Sequence, residues 1–437
     1  PAQAGVKNFS LPPTPYTLSH FQSACHPVRI IPPSPHLPIS QFPFLAKFAF
    51  IGINSEKECV NNIPPVDLKR QYKRISEEVS AAVVEILSSG QYIGGAAVTD
   101  FERQFADYIG VAECVACNSG TDALYLALRA LKIGRGDEVI TTPFTFIATA
   151  ETITMAGATP VFVDIDPQTF NIDLDRLEAA ITPKTKAILP VYLFGQPTDM
   201  GKLMAIAQGH DLFVVEDCAQ AAGTEWAGQK VGNIGHVGCF SFFPTKNLGG
   251  CGDGGAVTTN DPAIAAEIRM LKDHGSRVRY FHEAVGMNSR LDALQAAILQ
   301  VKLRYLNIWN QQRRGIASRY HELLQALPGI QLPQELAGGK STWNQYTIRI
   351  PDRGQGTGLD RDKIRQQLQQ MGVSSMVYYP VPLHLQPVYQ DLGYHQGQLP
   401  ASEQASREVL SLPMFPDLSF EEQQQVAYSL KDCLSKM

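Results

Sequence analysis

The sequence predicts an α/β fold, with a mostly parallel β-sheet between helices and a smaller α+β domain toward the C-terminus. Between residues 114 and 215, short apolar runs alternate with helical patterns, as expected for parallel strands that are joined by helices. The alternation fades beyond about residue 306, where long helical patterns and proline-rich pieces follow. We therefore expect a large domain over 61–305 and a small one over 306–437, with the boundary in one long helix at 292–311.

Composition narrows the class of protein. The 437 residues are 44% hydrophobic and 18% charged, so the chain can bury a large core and is long enough for two domains. A net charge of −5 argues against nucleic acid as the main partner. The most apolar piece, 42–53, is too short to cross a bilayer, and no membrane partner is expected. Eight scattered cysteines favour a reducing cytoplasm.

Residues 1–60 differ from the rest of the chain. The first 55 contain no acidic residue, are rich in proline and show neither helical nor strand periodicity. The first methionine of the chain is Met155. We expect this segment to be a disordered or non-native extension.

From residue 63 onward, the elements are predicted in order. An amphipathic helix over 71–87 closes at Gly90, because glycine favours helix ends. Thr99 is expected to cap a second helix at 100–108. Strands are then predicted at 114–117, 138–141, 161–164, 187–194 and 212–215, and helices at 122–131, 147–156 and 200–207. Ligands of such a sheet gather beyond the carboxyl ends of its strands.

One stretch, 240–247, places Lys246 at the end of an aromatic run. An aldehyde cofactor needs an amine that can be neutral near pH 7, and burial among aromatic side chains lowers the pKa of a lysine. Ser241 could hold the phosphate of such a cofactor if Pro244 turns the chain back toward it. The same stretch also fits an ordinary lysine that follows a buried strand.

Other polar residues follow predicted strands. Residues 118–121 end a strand and open a helix, which makes a phosphate seat or an ordinary helix cap. Asp217 follows the strand at 212–215, where its carboxylate could keep a pyridine nitrogen protonated. Gln220 could contact the same ring, and Phe146 could stack on it or belong to the core. The run at 250–255 fits G-x-G-x-x-G, but a strand pattern follows it, so we do not interpret it as a dinucleotide site.

Together, these motifs resemble the PLP-dependent sugar-nucleotide aminotransferases of the DegT family. The resemblance runs from about residue 63 to the C-terminus, and it rests on five stretches in the same order, namely 118–124, 145–149, 216–220, Ser241 with Lys246, and 286–292. It implies a fold-type-I PLP-transferase with a large PLP-binding domain and a small C-terminal domain. It also implies a homodimer whose active sites lie at the interface.

The family's site residues carry over position by position. The resemblance implies that Lys246 holds pyridoxal 5'-phosphate (PLP), that Asp217 pairs with the ring nitrogen, and that Phe146 and Gln220 flank the ring. It assigns the cofactor phosphate to Gly120, Thr121 and Ser241, and, from the other subunit, to Asn288. Arg290 would bind the carboxylate of the amino donor from that same subunit, since an arginine fork suits a carboxylate.

Further substrate contacts are expected in the loop that precedes Arg290. Tyr280 and His282 are predicted substrate-binding residues, and Arg277 and Arg279 offer cations for a diphosphate or a carboxylate, although a solvated basic face fits equally well. Two positions depart from the family pattern, which usually has Gly-Pro where this chain has Gly95-Ala96 and often has histidine at the place of Tyr192. No metal site is expected.

The activity that the resemblance implies is transfer of an amino group from glutamate to a keto-sugar nucleotide, for glycan or surface polysaccharide biosynthesis. Residues 288–297 resemble members that aminate position 3 of the sugar, and Ser289, smaller than tyrosine, is expected to leave room for a 3-keto ring. The alternatives are a 4-keto nucleotide sugar, a cyclic keto-polyol, and a non-catalytic regulatory protein of the same fold. Lys246 argues against the dehydratases of the family, which carry histidine there.

Overall fold

A central β-sheet organises this computed structural model, which describes residues 62–352 and 359–436. The strands are β1 Glu113–Cys117, β2 Glu138–Thr141, β3 Thr159–Phe162, β4 Thr185–Ile188, β5 Phe213–Asp217, β6 Glu225–Trp226, β7 Gln229–Lys230, β8 Val237–Ser241, β9 Gly255–Thr259, β10 Ser276–Val278, β11 Phe281–His282, β12 Gly339–Lys340, β13 Tyr346–Arg349 and β14 Val409–Leu412. The helices are α1 Leu68–Ser89, α2 Ala96–Ile109, α3 Gly120–Ala130, α4 Ala148–Met155, α5 Met200–Gly209, α6 Pro262–Lys272, α7 Ala293–Leu303, α8 Leu306–Leu324, α9 Leu359–Gln370, α10 Pro400–Glu408 and α11 Phe420–Ser435.

The large sheet has the strand order β1-β9-β8-β5-β4-β2-β3. All neighbours from β8 to β3 are parallel, and β9 runs antiparallel to both β1 and β8. One apolar cluster joins α3, α4 and α6 to one face of the sheet, and a second joins α2, α5 and α7 to the other face. The predicted α/β fold with a mostly parallel sheet between helices is confirmed.

The C-terminal part of the chain has an apolar cluster of its own. Side chains of α8, α9, α11, β13 and β14 form it together with Ile63. The division at residue 305 stays a prediction, but the single helix predicted across 292–311 is wrong. Two helices occupy that range, because α7 ends at Leu303 and α8 begins at Leu306. No glycine or proline marks the break, so the sequence pattern could not reveal it.

Several predicted boundaries also differ from the structure. Helix α2 begins at Ala96 with Gly95 as its N-cap, and Thr99 lies within the helix, where its hydroxyl donates to the Gly95 carbonyl at 3.2 Å. Strand β3 covers Thr159–Phe162, which is earlier than predicted and includes Pro160, and its position at the sheet edge tolerates proline. Strand β4 ends at Ile188, because the chain beyond it turns, with Phe194 at a φ of 61°. The expectation for 1–60 lies outside the described residues.

Glu216 ties strand β5 to the segment that leads into β8. Its side chain is fully buried and accepts hydrogen bonds from the amides of Gly232, Ile234 and Gly235 at 2.9, 3.0 and 2.7 Å. The hydroxyl of Tyr192 donates to the same carboxylate. Tyr192 is itself fully buried, so it is a core residue and not a sugar contact. Across 62–352 and 359–436, no helix combines the length and the apolar composition needed to cross a membrane.

We predict that Glu216→Ala lowers the free energy of unfolding by about 3–5 kcal/mol, because several buried donors lose their acceptor at once. Glu225→Ala is the matched control. It removes a carboxylate that pairs with Lys340 near the surface, at 2.9 Å, and should cost less than about 1 kcal/mol. Urea unfolding of the two variants measures both values, and equal losses would contradict the role assigned to Glu216.

Candidate active site

Two strand ends and one helix start meet at the carboxyl edge of the sheet. Asp217 ends β5 and pairs in register with Cys239 of β8, and β8 continues two residues further to Ser241. Helix α3 begins directly against Ser241, since a Cβ atom on Gly120 would lie 2.6 Å from the Cβ of Ser241. A side chain at position 120 therefore does not fit, and the structure needs glycine there.

The start of α3 has the form of an anion site. Ser119 caps the helix by accepting from the Asp122 amide at 3.0 Å, and the first amides of a helix lack partners within it. Gly120, Thr121 and Ser241 are partly buried at this point. This cradle, with a hydroxyl beside a helix N-terminus, fits the phosphate of PLP.

Ser289 is held in the same region by its own chain. It is fully buried, donates to Asp122 Oδ2 at 2.7 Å and accepts from the Asn118 amide at 3.2 Å. These contacts neither confirm nor contradict the expectation that its small size leaves room for a substrate ring, which stays a prediction. Its size and hydroxyl serve the packing at the start of α3.

Asp217 is a buried carboxylate in a fixed orientation. Thr149 donates its hydroxyl to Oδ2 at 2.9 Å, and the Ala219 amide donates to Oδ1 at 3.1 Å. Thr145 in turn lies 2.9 Å from the Thr149 hydroxyl. Burial raises the pKa of Asp217, while these two hydrogen bonds and the charge of Lys246 oppose the rise. The carboxylate is thus oriented to accept a further hydrogen bond, as from a protonated pyridine nitrogen.

Lys246 carries the amine of the site. Burial lowers the pKa of Lys246 to about 8, and the nearby charge of Asp217 acts in the opposite direction. An amine with this pKa is neutral in roughly a tenth of the molecules at pH 7. In the part of the chain that the structure describes, no hydrogen bond or ion pair occupies this amine. The amine is therefore available to attack an aldehyde.

Aromatic and amide side chains form the wall beside Asp217. Gln220 accepts from the Phe194 amide at 2.6 Å and donates to the Tyr379 hydroxyl at 3.3 Å. The Tyr379 ring lies 6.2 Å from that of Phe146, measured between centroids. Phe146 is 56% exposed, which is high for a phenylalanine and leaves its ring free to stack on a planar group.

Asn288 and Arg290, the residues expected from a second subunit, have contacts of their own within this chain. Asn288 is exposed and bridges to Asp273 in the backbone. Arg290 donates to the Asp273 carboxylate at 3.3 Å and faces a cleft together with Gly94, Gly95 and Lys272. Among the described contacts, none joins Asn288 or Arg290 to Lys246, Asp217 or Ser241. Their part in the site stays a prediction.

The remaining predicted substrate residues lie on the hairpin of β10 and β11. Tyr280 is 81% exposed, and the Arg279 guanidinium lies 5.0 Å from its ring centroid. His282 is exposed, and its Nδ1 lies 2.9 Å from the His274 carbonyl. Arg277 pairs with Glu267 at 2.9 Å and with Glu283. Two carboxylates therefore already hold Arg277 within this chain, and its part in substrate binding stays a prediction.

Sequence reasoning missed Thr149 and Tyr379 as parts of the site. Thr149 stood in one of the motifs, but only the fold shows that its hydroxyl meets Asp217. Tyr379 follows a segment without periodicity, and its contacts with Gln220 and Phe146 are long-range. Within the described residues, no group of three or more His, Cys, Asp or Glu side chains is arranged to hold a metal ion.

Comparison with known proteins places these residues in context. The model of the DegT/DnrJ/EryC1/StrS aminotransferase family matches residues 73–431. A pleiotropic regulatory protein of Geobacillus stearothermophilus is 48% identical over 85% of this chain and 98% of its own length. The UDP-N-acetyl-3-dehydro-alpha-D-glucosamine 3-aminotransferase of Acidithiobacillus ferrooxidans is 45% identical over 85% of this chain and 98% of its own length.

Solved structures of aminotransferases share the fold. The DesV protein of S. venezuelae, solved in complex with a ketimine intermediate, has a TM-score of 0.83 and 41% identity, over 86% of this chain and all of that one. The NtdA protein of Bacillus subtilis, solved with bound cofactor PMP, has a TM-score of 0.76 and 34% identity, over 82% of both chains. These two proteins share the fold of this chain, and the PMP bound to NtdA is a form of the cofactor that suits the site described above.

We predict that Lys246→Ala abolishes covalent attachment of PLP, because among the described residues Lys246 is the lysine whose charge acts on Asp217. The visible absorption of the bound cofactor should disappear, and borohydride should no longer fix the cofactor to the protein. Lys340→Ala, in which an exposed lysine is removed, should retain both properties. A Lys246→Ala protein that still yields a reduced covalent adduct would show that another residue carries the cofactor.

Proposed function

Because the chain belongs to the DegT/DnrJ/EryC1/StrS aminotransferase family and is a PLP-dependent sugar aminotransferase, we propose that it moves an amino group from glutamate to a 3-keto nucleotide sugar. The observation that carries the proposal is that Lys246, whose pKa burial lowers to about 8, lies within the electrostatic influence of the buried Asp217 carboxylate, at the sheet edge where α3 begins. This set of groups suits PLP, whose aldehyde, ring nitrogen and phosphate each need one of them.

Each residue has a defined task in this proposal. When bound, PLP supplies an electron sink for the bonds at the reacting carbon. Lys246 would hold PLP through its amine, and the same amine would move the proton between the substrate carbon and the cofactor carbon, as general base and general acid. Asp217 keeps the pyridine nitrogen protonated, and Thr149 and the Ala219 amide keep Asp217 in place. Gly120, Thr121 and Ser241 hold the phosphate.

The walls of the pocket orient the planar ring. Phe146 offers an open aromatic face on which the ring can stack, and Gln220 borders it from the side of Phe194. Tyr379 receives a hydrogen bond from Gln220 and so fixes the amide of that side chain. Burial raises the pKa of Tyr379, so its hydroxyl keeps its proton at neutral pH and can donate to a bound group.

The choice of a 3-keto sugar rests on two observations. Residues 288–297 resemble family members that aminate position 3, and the Acidithiobacillus relative is named for a 3-dehydro sugar and a 3-aminotransferase activity. The product would be an amino sugar for a surface polysaccharide or a related glycan. Unpaired cysteines among the described residues favour a reducing compartment, and we place the reaction in the cytoplasm.

A regulatory function is the second candidate, because the Geobacillus relative carries that name. A protein that only senses a ligand does not need an amine of lowered pKa beside a buried carboxylate, since holding such groups together costs stability. Lys246 and Asp217 are both present with these properties, which favours turnover over regulation alone.

We further propose a homodimer in which Asn288 and Arg290 complete the partner's site. Mixing Lys246→Ala with Arg290→Ala, each inactive alone, should then restore about a quarter of the wild-type activity, because half of the dimers carry one intact site. Mixing Lys246→Ala with Asp217→Ala is the control and should restore nothing, since these two residues act within one chain. Failure of the first mixture after verified subunit exchange would place Arg290 in its own chain's site.

The 3-keto preference is tested by running the reaction in reverse. Matched 3-amino and 4-amino nucleotide sugars are each mixed with 2-oxoglutarate and the protein, and glutamate is measured. We expect glutamate from the 3-amino compound at a rate at least about tenfold above the other, since a displaced amine misses the proton path of Lys246. Glutamate from the 4-amino compound alone would assign the other position.

A further inference from the structure

Three buried asparagines form one hydrogen-bonded cluster next to the proposed cofactor lysine. Asn247 directly follows Lys246 in the chain and is 3% exposed. Its side-chain nitrogen donates to Asn310 Oδ1 at 2.8 Å and to the Thr342 carbonyl at 3.1 Å, and its oxygen accepts from Asn344 Nδ2 at 2.7 Å. We call Asn247, Asn310 and Asn344 the asparagine cluster.

The members of the cluster come from three separate parts of the chain. Asn247 lies in the loop after β8, Asn310 on α8, and Asn344 just before β13. Asn310 also donates to the Ala222 carbonyl at 2.9 Å. Buried amide groups are costly unless paired, so the three side chains hold one another in a single arrangement. The cluster thereby fixes the loop that carries Lys246 against α8.

A buried arginine supports the Asn344 side of the cluster. Arg313 is 3% exposed, and its Nη1 donates to the carbonyls of Trp343, Asn344 and Met414 at 3.3, 3.2 and 3.0 Å. Burial lowers the pKa of Arg313 to about 10, which is still far above neutral, so the side chain remains a cation. The carbonyl oxygens stabilise the buried guanidinium as hydrogen-bond acceptors, and the segment 342–344 is held in one place.

The cluster also reaches the opposite wall of the pocket. The backbone amide of Asn344 donates to the Phe194 carbonyl at 2.9 Å, and the backbone amide of Phe194 donates to Gln220 Oε1 at 2.6 Å. One chain of hydrogen bonds therefore runs from the residue next to Lys246 to Gln220. Among the described contacts, neither the Asn247 nor the Asn344 side chain is hydrogen-bonded to Lys246 or Asp217, so any effect on these groups is indirect.

We propose that Asn247 is a positioning residue. Through its hydrogen bonds to Asn310 and Asn344, it keeps the Lys246 amine near Asp217, limits its contact with water and fixes its position relative to Gln220. The inference rests on the proposed role of Lys246 as the cofactor lysine. If the cluster is removed, the loop after β8 can move, and water reaches the amine. A purely structural cluster would instead affect only stability.

The experiment measures how readily the Lys246 amine reacts in the full-length protein freed of PLP. Formaldehyde with cyanoborohydride methylates neutral amines, and mass spectrometry of the Lys246 peptide gives the extent of labelling at each pH. Asp217 is the charged group that faces Lys246, and it is retained in every variant. Variants Asn247→Ala and Asn310→Ala remove different parts of the cluster. Tyr320→Phe is the control, since it removes a buried hydrogen bond of 3.0 Å to the Pro413 carbonyl without touching the cluster.

We expect the midpoint of the wild-type profile near pH 8. In Asn247→Ala it should rise by about one pH unit, because solvation of the ammonium form removes part of the burial effect. Asn310→Ala leaves the bond between Asn247 and Asn344 in place and should give a smaller rise. Tyr320→Phe should lower the Tm, as the other two do, but should leave the midpoint unchanged.

An unchanged midpoint in Asn247→Ala together with a lowered Tm would overturn the proposal and leave the cluster a stability element. Should Asn247→Ala fail to fold, Asn310→Ala decides in the same way. These outcomes are distinct from failure of the proposed function, which would appear as a covalent PLP adduct that survives Lys246→Ala.

Discussion

Two adjacent carboxylates at the end of β5 set the geometry on which the site depends. Successive side chains of a strand point to opposite faces, so Glu216 and Asp217 face different helical layers. Glu216 is fully buried and held by three backbone amides and the Tyr192 hydroxyl, which fixes the end of β5 relative to the segment before β8. With β5 fixed, Asp217 on the other face and Ser241 at the end of β8 have defined positions. A one-residue slip would exchange the two carboxylates and destroy the site.

At this edge of the sheet, two opposing effects set the pKa values of Asp217 and Lys246, namely burial and the attraction between their charged forms. Burial raises the pKa of Asp217 and lowers the pKa of Lys246 to about 8, and the attraction between the two charged forms opposes both shifts. The outcome is an amine that can lose its proton near neutral pH while it stays within the electrostatic influence of the Asp217 carboxylate. Thr149 serves Asp217, and Asn247 is inferred to serve Lys246. Each reacting group is thus held by a neighbour that takes no part in the reaction.

Much of this arrangement could be predicted from the sequence, because polar residues at the ends of apolar runs mark the carboxyl edge of a parallel sheet. Asp217 and the start of α3 are predicted in this way, whereas Ser241 is predicted from its place before Lys246 and the turn at Pro244. Pro160 concealed the true start of β3, since proline is excluded from central strands but tolerated at an edge. The roles of Thr149, Tyr379 and Asn344 depend on contacts between residues far apart in the chain, and no local pattern records them. The hydrogen bond from Ser289 to Asp122 at the start of α3 is another long-range contact of this kind.

The most direct test of transaminase function is the half-reaction with glutamate alone. Protein loaded with PLP is mixed with glutamate in the absence of any sugar, and 2-oxoglutarate is measured together with the visible absorption of the cofactor. About one equivalent of 2-oxoglutarate per bound cofactor should form as the absorption is lost, because the amino group stays on the enzyme when no acceptor is present. Lys246→Ala should release none. Cofactor-loaded wild-type protein that forms no 2-oxoglutarate would contradict transfer from glutamate through Lys246.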